Sequence, residues 1–195
     1  MPHYFTKDND TLASAKKPIW FVIRGREFKM TTDHGVFSKA GLDFGTRTLL
    51  ENVEVGPDAD ILDLGCGFGA VGVVLGALFG ARVTMTDIND RAVELARDNA
   101  FDNGVDAVIL SGDGCLHVPG LFDCILTNPP IRAGKAVVYR LFREAREKLK
   151  ENGRFVLVIN KNQGAESAIR ELGTIYGSVE LLAKKSGYHV LSCRK

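Results

Sequence analysis

The sequence predicts an α/β fold: a doubly wound, mostly parallel sheet of seven strands whose last strand runs antiparallel, with a small N-terminal β-hairpin. Three observations carry that prediction. Short apolar runs alternate with amphipathic helical stretches from residue 60 onward, the pattern of a parallel sheet covered on both faces. The run Ile61-Leu62-Asp63-Leu64 leads through Gly65, Gly67 and Gly69 into an alanine- and valine-rich stretch, reading as strand, tight turn and helix N-terminus. Near the end, two strand-like runs follow one another with no helix between them, so they must pair as a hairpin.

The elements follow in order. Residues 1–17 are polar and aperiodic and read as an extended arm. Strands over 19–23 and 27–31 flank Arg24-Gly25-Arg26 and form the hairpin. Gly45-Thr46 opens a short helix with Thr46 as its N-cap, and Gly56-Pro57 ends it. Strands are then expected over 60–64, 82–86, 107–110, 122–127, 154–159, 178–183 and 188–193. Helices are expected over 70–79, 90–99, 135–150 and 163–172. No repeat or linker interrupts the pattern, so 1–195 reads as one domain, with arm, hairpin and helix in 1–56 and the α/β core in 57–195.

A hydrophobic fraction of 45% over 195 residues is enough for a proper core, and a net charge of +1 excludes a general polyanion binder. The charge is uneven. Lys16, Lys17, Arg24, Arg26 and Lys29 crowd the hairpin against one acid, Glu27, and serve either as a solvated edge that blocks strand addition or as contacts for nucleic-acid phosphates. Four cysteines without any C-x-x-C pair, and no apolar leader, point to a reduced cytoplasm and to no metal. Cys66 reads as a packing residue. The longest apolar stretch, 69–81, falls short of the ~20 residues that cross a bilayer, so no membrane partner is expected.

In such sheets ligands bind at the carboxyl ends of the strands. Polar residues stand at four successive ends: Asp63 before the glycine turn, Asp87, Asp113, and Asn128-Pro129-Pro130. Gly65, Gly67 and Ala70 also satisfy a dinucleotide fingerprint, with Asp87 where a ribose-binding acid belongs. Charge decides between the two cofactors. Asp63 would face the two negative charges of a pyrophosphate, whereas S-adenosylmethionine carries a cationic sulfonium and amino group and no phosphate. On that cofactor Asp87 would accept both ribose hydroxyls, and Asp113 the adenine amino group, with the Gly114 N–H near the ring. Two prolines stiffen the next loop and remove two N–H donors, leaving carbonyl oxygens that no local donor occupies. An amino group held by the Asn128 side-chain oxygen and the Pro129 carbonyl would turn its lone pair toward an in-line methyl, without needing a strong base.

Asp63-Leu64-Gly65-Cys66-Gly67-Phe68-Gly69, Asp87 and Thr127 through Lys135 resemble a class I S-adenosylmethionine-dependent methyltransferase, a Rossmann-like fold. With Gly35-Val36-Phe37-Ser38 and Leu42 through Thr46 added, the chain is similar to the small-domain group of ribosomal RNA guanine-N2 methyltransferases of the small subunit. The resemblance implies methylation of guanine N2 in structured RNA, with Asn128 and Pro129 holding the amino group and Phe37 and Thr46 bordering the site. Ile131 stands where an aromatic residue is usual, which leaves Phe37 to stack on the base. Arg132 and Lys135 would touch phosphates around a base drawn out of its stack. Larger bacterial members carry a second, degenerate methyltransferase domain that this chain lacks, so substrate selection by it would be absent or supplied by another subunit. The same geometry also suits a protein-glutamine or adenine-N6 methyltransferase, a small-molecule methyltransferase would not need the basic hairpin, and an RNA-binding module would show no cofactor affinity.

Overall fold

The computed structural model describes residues 13–36 and 41–195, so Phe37 and most of the arm lie outside the described residues. The hairpin pairs β1 (Lys17–Ile23) with β2 (Arg26–Thr32). Its two-residue turn puts Arg24 at φ 48° and Gly25 at φ 79°, the left-handed pair that matches strand twist. Ile19, Phe21, Ile23, Phe28 and Met30 all point inward and are buried.

Helix α1 (Phe44–Asn52) follows. Its N-cap is Asp43 and not the expected Thr46: Asp43 has extended φ/ψ and its Oδ1 accepts from the Thr46 N–H at 3.0 Å. An aspartate three residues ahead of the threonine captures the free amide first.

The sheet then builds from β3 (Asp60–Leu64), β4 (Arg82–Asp87), β5 (Ala107–Ser111), β6 (Phe122–Thr127), β7 (Leu149–Asn160), β8 (Ser178–Lys185) and β9 (Tyr188–Arg194). The intervening helices are α2 (Ala70–Phe79), α3 (Asp90–Asp102), α4 (Lys135–Lys148) and α5 (Ala165–Ile175). Strand order is β5-β4-β3-β6-β7-β9-β8. Only β9 is inverted, and it is inserted between β7 and β8, so the edge strand β8 runs with the rest.

Boundaries moved where turn chemistry overrode periodicity. The fourth helix stops at Lys148, because Leu149 is already extended and begins a twelve-residue strand through Asn152 (φ 66°) and Gly153. A Cβ at Gly153 would sit 2.9 Å from two carbonyl oxygens, so only glycine fits that bend. Alternate residues of β7 feed the two cores: Val156 and Val158 face α1, α2, α3 and the hairpin, while Phe155, Leu157 and Ile159 face α4 and α5. Among the described residues no helix is long and apolar enough to cross a membrane.

The hairpin arginines are used inside the fold. Arg24 donates to the carbonyls of Leu50 (3.3 Å), Glu51 (3.2 Å) and Val53 (2.9 Å), covering the C-terminus of α1, which has no basic residue in its last turn. Arg26 donates to the Ala77 carbonyl at 2.5 Å in the last turn of α2, which also lacks one. Lys16 pairs with Asp98 at 3.0 Å. Two of the five cations that marked this region in the sequence, Arg24 and Arg26, therefore hold the hairpin to the core.

Candidate functional site

Strand order reverses between β3 and β6, and the crevice beyond their carboxyl ends is where a doubly wound sheet accepts ligands. A cavity of about 230 Å³ opens there, lined by the glycine turn, the ends of β4 and β5, the start of α1 and the loop after β6. All three turn glycines have positive φ, at 73°, 56° and 87°. A Cβ on Gly65 or Gly67 would meet nothing, so backbone conformation selects glycine there; on Gly69 it would lie 3.1 Å from the Ala96 Cβ, so contact with α3 does as well. The Gly65 and Cys66 amides donate to the Thr86 carbonyl at 2.9 and 3.0 Å, anchoring the turn to β4.

Two acids sit beneath this turn. Asp63 is fully enclosed and its Oδ2 accepts from the Gly72 N–H of α2 at 2.9 Å. Burial, with the nearby Asp87 charge adding, pushes its carboxyl up to about 7 despite that hydrogen bond. Asp87 accepts from the Gly67 N–H at 2.8 Å and the Asn89 N–H at 2.9 Å, yet burial still raises its carboxyl. Burial and the same two acids push the Cys66 thiol up, which fits a packing residue. The wall of the cavity thus holds crowded carboxylates, with Arg140 the single cationic side chain on it among the described residues.

Asp113 also reaches the cavity, but Arg140 holds its Oδ1 at 2.6 Å, so the carboxylate is partly engaged. Arg140 bridges on to Glu144 at 2.5 Å, and Glu144 accepts from the Cys115 N–H at 3.0 Å. This clamp fixes the loop after β5. A Cβ on Gly114 would collide with the Glu144 carboxylate, and its φ of 72° also favours glycine.

Asn128 follows β6, whose last residue Thr127 donates from its hydroxyl to the Leu64 carbonyl at 2.7 Å and fixes the spacing of the two strand ends. The Asn128 amide nitrogen donates to Thr46 Oγ1 at 3.0 Å and to Asp43 Oδ1 at 3.2 Å. A carboxylate only accepts, so the amide must turn its nitrogen to α1. Among the described residues no donor reaches the Asn128 oxygen. Thr46 thus lines the cavity as a support for Asn128.

The proline loop corrects one expectation. The carbonyl of Pro129 is not vacant: it accepts from the Ile131 N–H at 2.8 Å, and that of Pro130 accepts from the Ala133 N–H at 2.9 Å. With φ −75° and ψ 74°, Pro130 is the centre of an inverse γ-turn, and a 3-10 turn over Ile131–Ala133 continues it. One lone pair of each carbonyl remains. Ile131 is half-buried against the α4 core, while Arg132 and Lys135 are exposed beside the loop. Phe37 falls outside the described residues. Sequence reasoning missed Asp43, Arg140 and Glu144; only Asp43 left a signal, its cap spacing to Thr46.

Residues 27–192 match the family described as methyltransferase small domain. The chain is 42% identical to an uncharacterized protein, YbxB, of Bacillus subtilis, across 99% of this chain and 98% of that one. It is 36% identical to ribosomal RNA small subunit methyltransferase C of Actinobacillus succinogenes, across 81% of this chain but 48% of the relative. Among solved structures, the T. thermophilus 16S rRNA N2 methyltransferase in complex with AdoMet and guanosine superposes with a TM-score of 0.83 and 28% identity, covering 94% of this chain and 52% of that one. The chain therefore spans about half the length of these two methyltransferases.

Proposed function

We propose, from the premise that the chain belongs to the methyltransferase small-domain family, that it uses S-adenosylmethionine to methylate an amino nitrogen, namely N2 of guanine in small-subunit ribosomal RNA. The carrying observation is the Asn128 amide, whose two donors are taken by Asp43 and Thr46 so that its oxygen is left for a substrate N–H.

The residues fit the cofactor. Gly65 and Gly67 leave open space where side chains would stand, and Asp63 and Asp87 form a wall short of positive charge among the described residues, which a sulfonium and an ammonium would relieve and a pyrophosphate would aggravate. Asp87 would take the ribose, and Asp113 with Gly114 would border the adenine. When bound, the cofactor supplies a methyl group on positively charged sulfur. The chain supplies position. The Asn128 oxygen and the remaining lone pair of the Pro129 carbonyl would each accept one hydrogen of a planar amino group, holding its nitrogen lone pair along one direction. The methylated nitrogen is acidic and would pass its proton to water, so no strong base is needed.

The likeness to a methyltransferase solved with AdoMet and guanosine supports guanine as the target. Transfer of labelled methyl from S-adenosylmethionine tests the reading, with small ribosomal subunits, their free RNA, DNA and protein as acceptors. We expect N2-methylguanosine in the RNA after nuclease digestion. Asn128→Ala should keep cofactor affinity and reduce turnover by roughly 10²–10³. Label appearing only in protein or DNA, or full turnover by Asn128→Ala, would overturn it.

A further inference from the structure

The hairpin was the most basic segment in the sequence, but Arg24 and Arg26 are committed to helix carbonyls. Two further cations, Lys161 and Lys185, inconspicuous in the sequence because they lie 24 residues apart, are linked to Asn128 through the fold. Its continuity with the site runs through a chain of contacts. Asp43 touches Asn128, and the next residue, Phe44, presents a 38% exposed ring to solvent at the start of α1. That ring lies 5.6 Å from the ring of Tyr188 at the start of β9, and the Lys185 ammonium sits 5.8 Å from its centroid. The β8–β9 turn then meets the end of β7, where the Lys161 N–H donates to the Gly187 carbonyl at 2.8 Å and the Lys161 stem lies over Gly187.

Lys161 and Lys185 are both exposed. Among the described residues Lys161 has no acidic partner, and Lys185 has Glu51 at 3.2 Å, an exposed pair of little strength. Glu51 is also approached by Arg47 at 3.8 Å. Exposed cations interleaved with an aromatic ring form the combination that binds a nucleic-acid strand, the cations meeting phosphates and the ring a base or ribose.

We propose that the strip formed by Phe44, Lys161 and Lys185 is the RNA-binding surface of this protein, carrying the backbone of the strand that delivers the target nucleotide to Asn128. It rests on the reading above that the substrate is RNA. Arg132 and Lys135 would guide the same strand on the other side of the proline loop.

The test is RNA binding measured by fluorescence anisotropy on a 16S ribosomal RNA fragment over a series of salt concentrations, which does not require turnover. Lys161→Gln/Lys185→Gln should leave S-adenosylmethionine affinity unchanged, weaken RNA binding about tenfold at low salt, and reduce the slope of log affinity against log salt by roughly one to two. Phe44→Ala should weaken binding by about tenfold without changing that slope. The control pair Lys17→Gln/Lys29→Gln, on the hairpin, should change neither. An unaltered slope in the strip variant, or the loss appearing in the hairpin pair instead, would overturn the assignment. Wild-type protein that binds the fragment through this strip yet transfers no methyl to RNA would sink the enzymatic reading and leave the surface standing.

Discussion

A single amide carries the chemistry proposed for this site, and its orientation is set from 85 residues away by Asp43. That makes Asp43→Asn an informative change. Asparagine caps a helix about as well as aspartate, so stability should hold. It can also donate, so it no longer dictates which end of the Asn128 amide faces the cavity, and single-turnover methyl transfer should slow by about tenfold with cofactor affinity intact. Equal rates would show that Thr46 alone suffices. Asp63 gives a second test at this scale. Folded, it holds its proton up to about pH 7; unfolded, it loses it near its ordinary 3.8. Between those values the folded state binds the extra proton, so Asp63 makes stability fall as pH rises. A cationic ligand prefers the ionised form, so affinity for S-adenosylmethionine should rise with pH by up to about tenfold per unit below 7 and level off above it. Calorimetry across pH 5.5–8.5 would show this, and Asp63→Asn should flatten it. Asp63, Asp87 and Asn128 were legible because each ends a strand beside a recognisable turn. Arg140 was not, since its partner Asp113 lies 27 residues off and no local pattern joins them.

The hairpin shows how an element can be predicted correctly and its charges misread. Its strands and tight turn follow from alternation around Arg24-Gly25, but a sequence does not reveal that two arginines reach helix carbonyls. Arg24 meets three orphan acceptors at the C-terminus of α1. Removing it with Arg24→Ala should cost about 1–2 kcal/mol, read from the urea midpoint, with Arg24→Lys recovering only part because an ammonium cannot span three carbonyls. A loss below a few tenths would mean that water covers those carbonyls equally well. The end of α4 was misplaced for a comparable reason. Amphipathic spacing continues past Lys148, but Leu149 pairs with Phe122 of β6 and the chain becomes strand. Pairing partners outweigh local periodicity there.

At the level of the whole molecule, alternation of strands and helices was enough for the fold class and for the inverted last strand. Strand order was not visible, because it is fixed by which hydrophobic faces meet and not by any segment alone. Yet that order creates the site: placing β3 beside β6 brings Asp63 and Asn128 to one crevice. If this crevice is a cofactor site, a hundredfold excess of S-adenosylmethionine over its dissociation constant should add about 2.7 kcal/mol and raise the melting temperature by roughly 5–11 °C for a chain of this size. NAD should give no shift; an equal or larger one would reverse the assignment of the cavity.

The buried Asn99 joins three parts of this architecture. Its oxygen accepts from the Thr31 N–H at 2.6 Å, and its nitrogen donates to the Thr31 carbonyl at 2.9 Å and to the Phe68 carbonyl, inside the glycine turn, at 2.8 Å. Cleaving the chain after residue 56 would strip that side chain of two of its three partners and loosen the floor of the crevice. Thr31, on the N-terminal hairpin, is thus a keystone of the turn that floors the crevice.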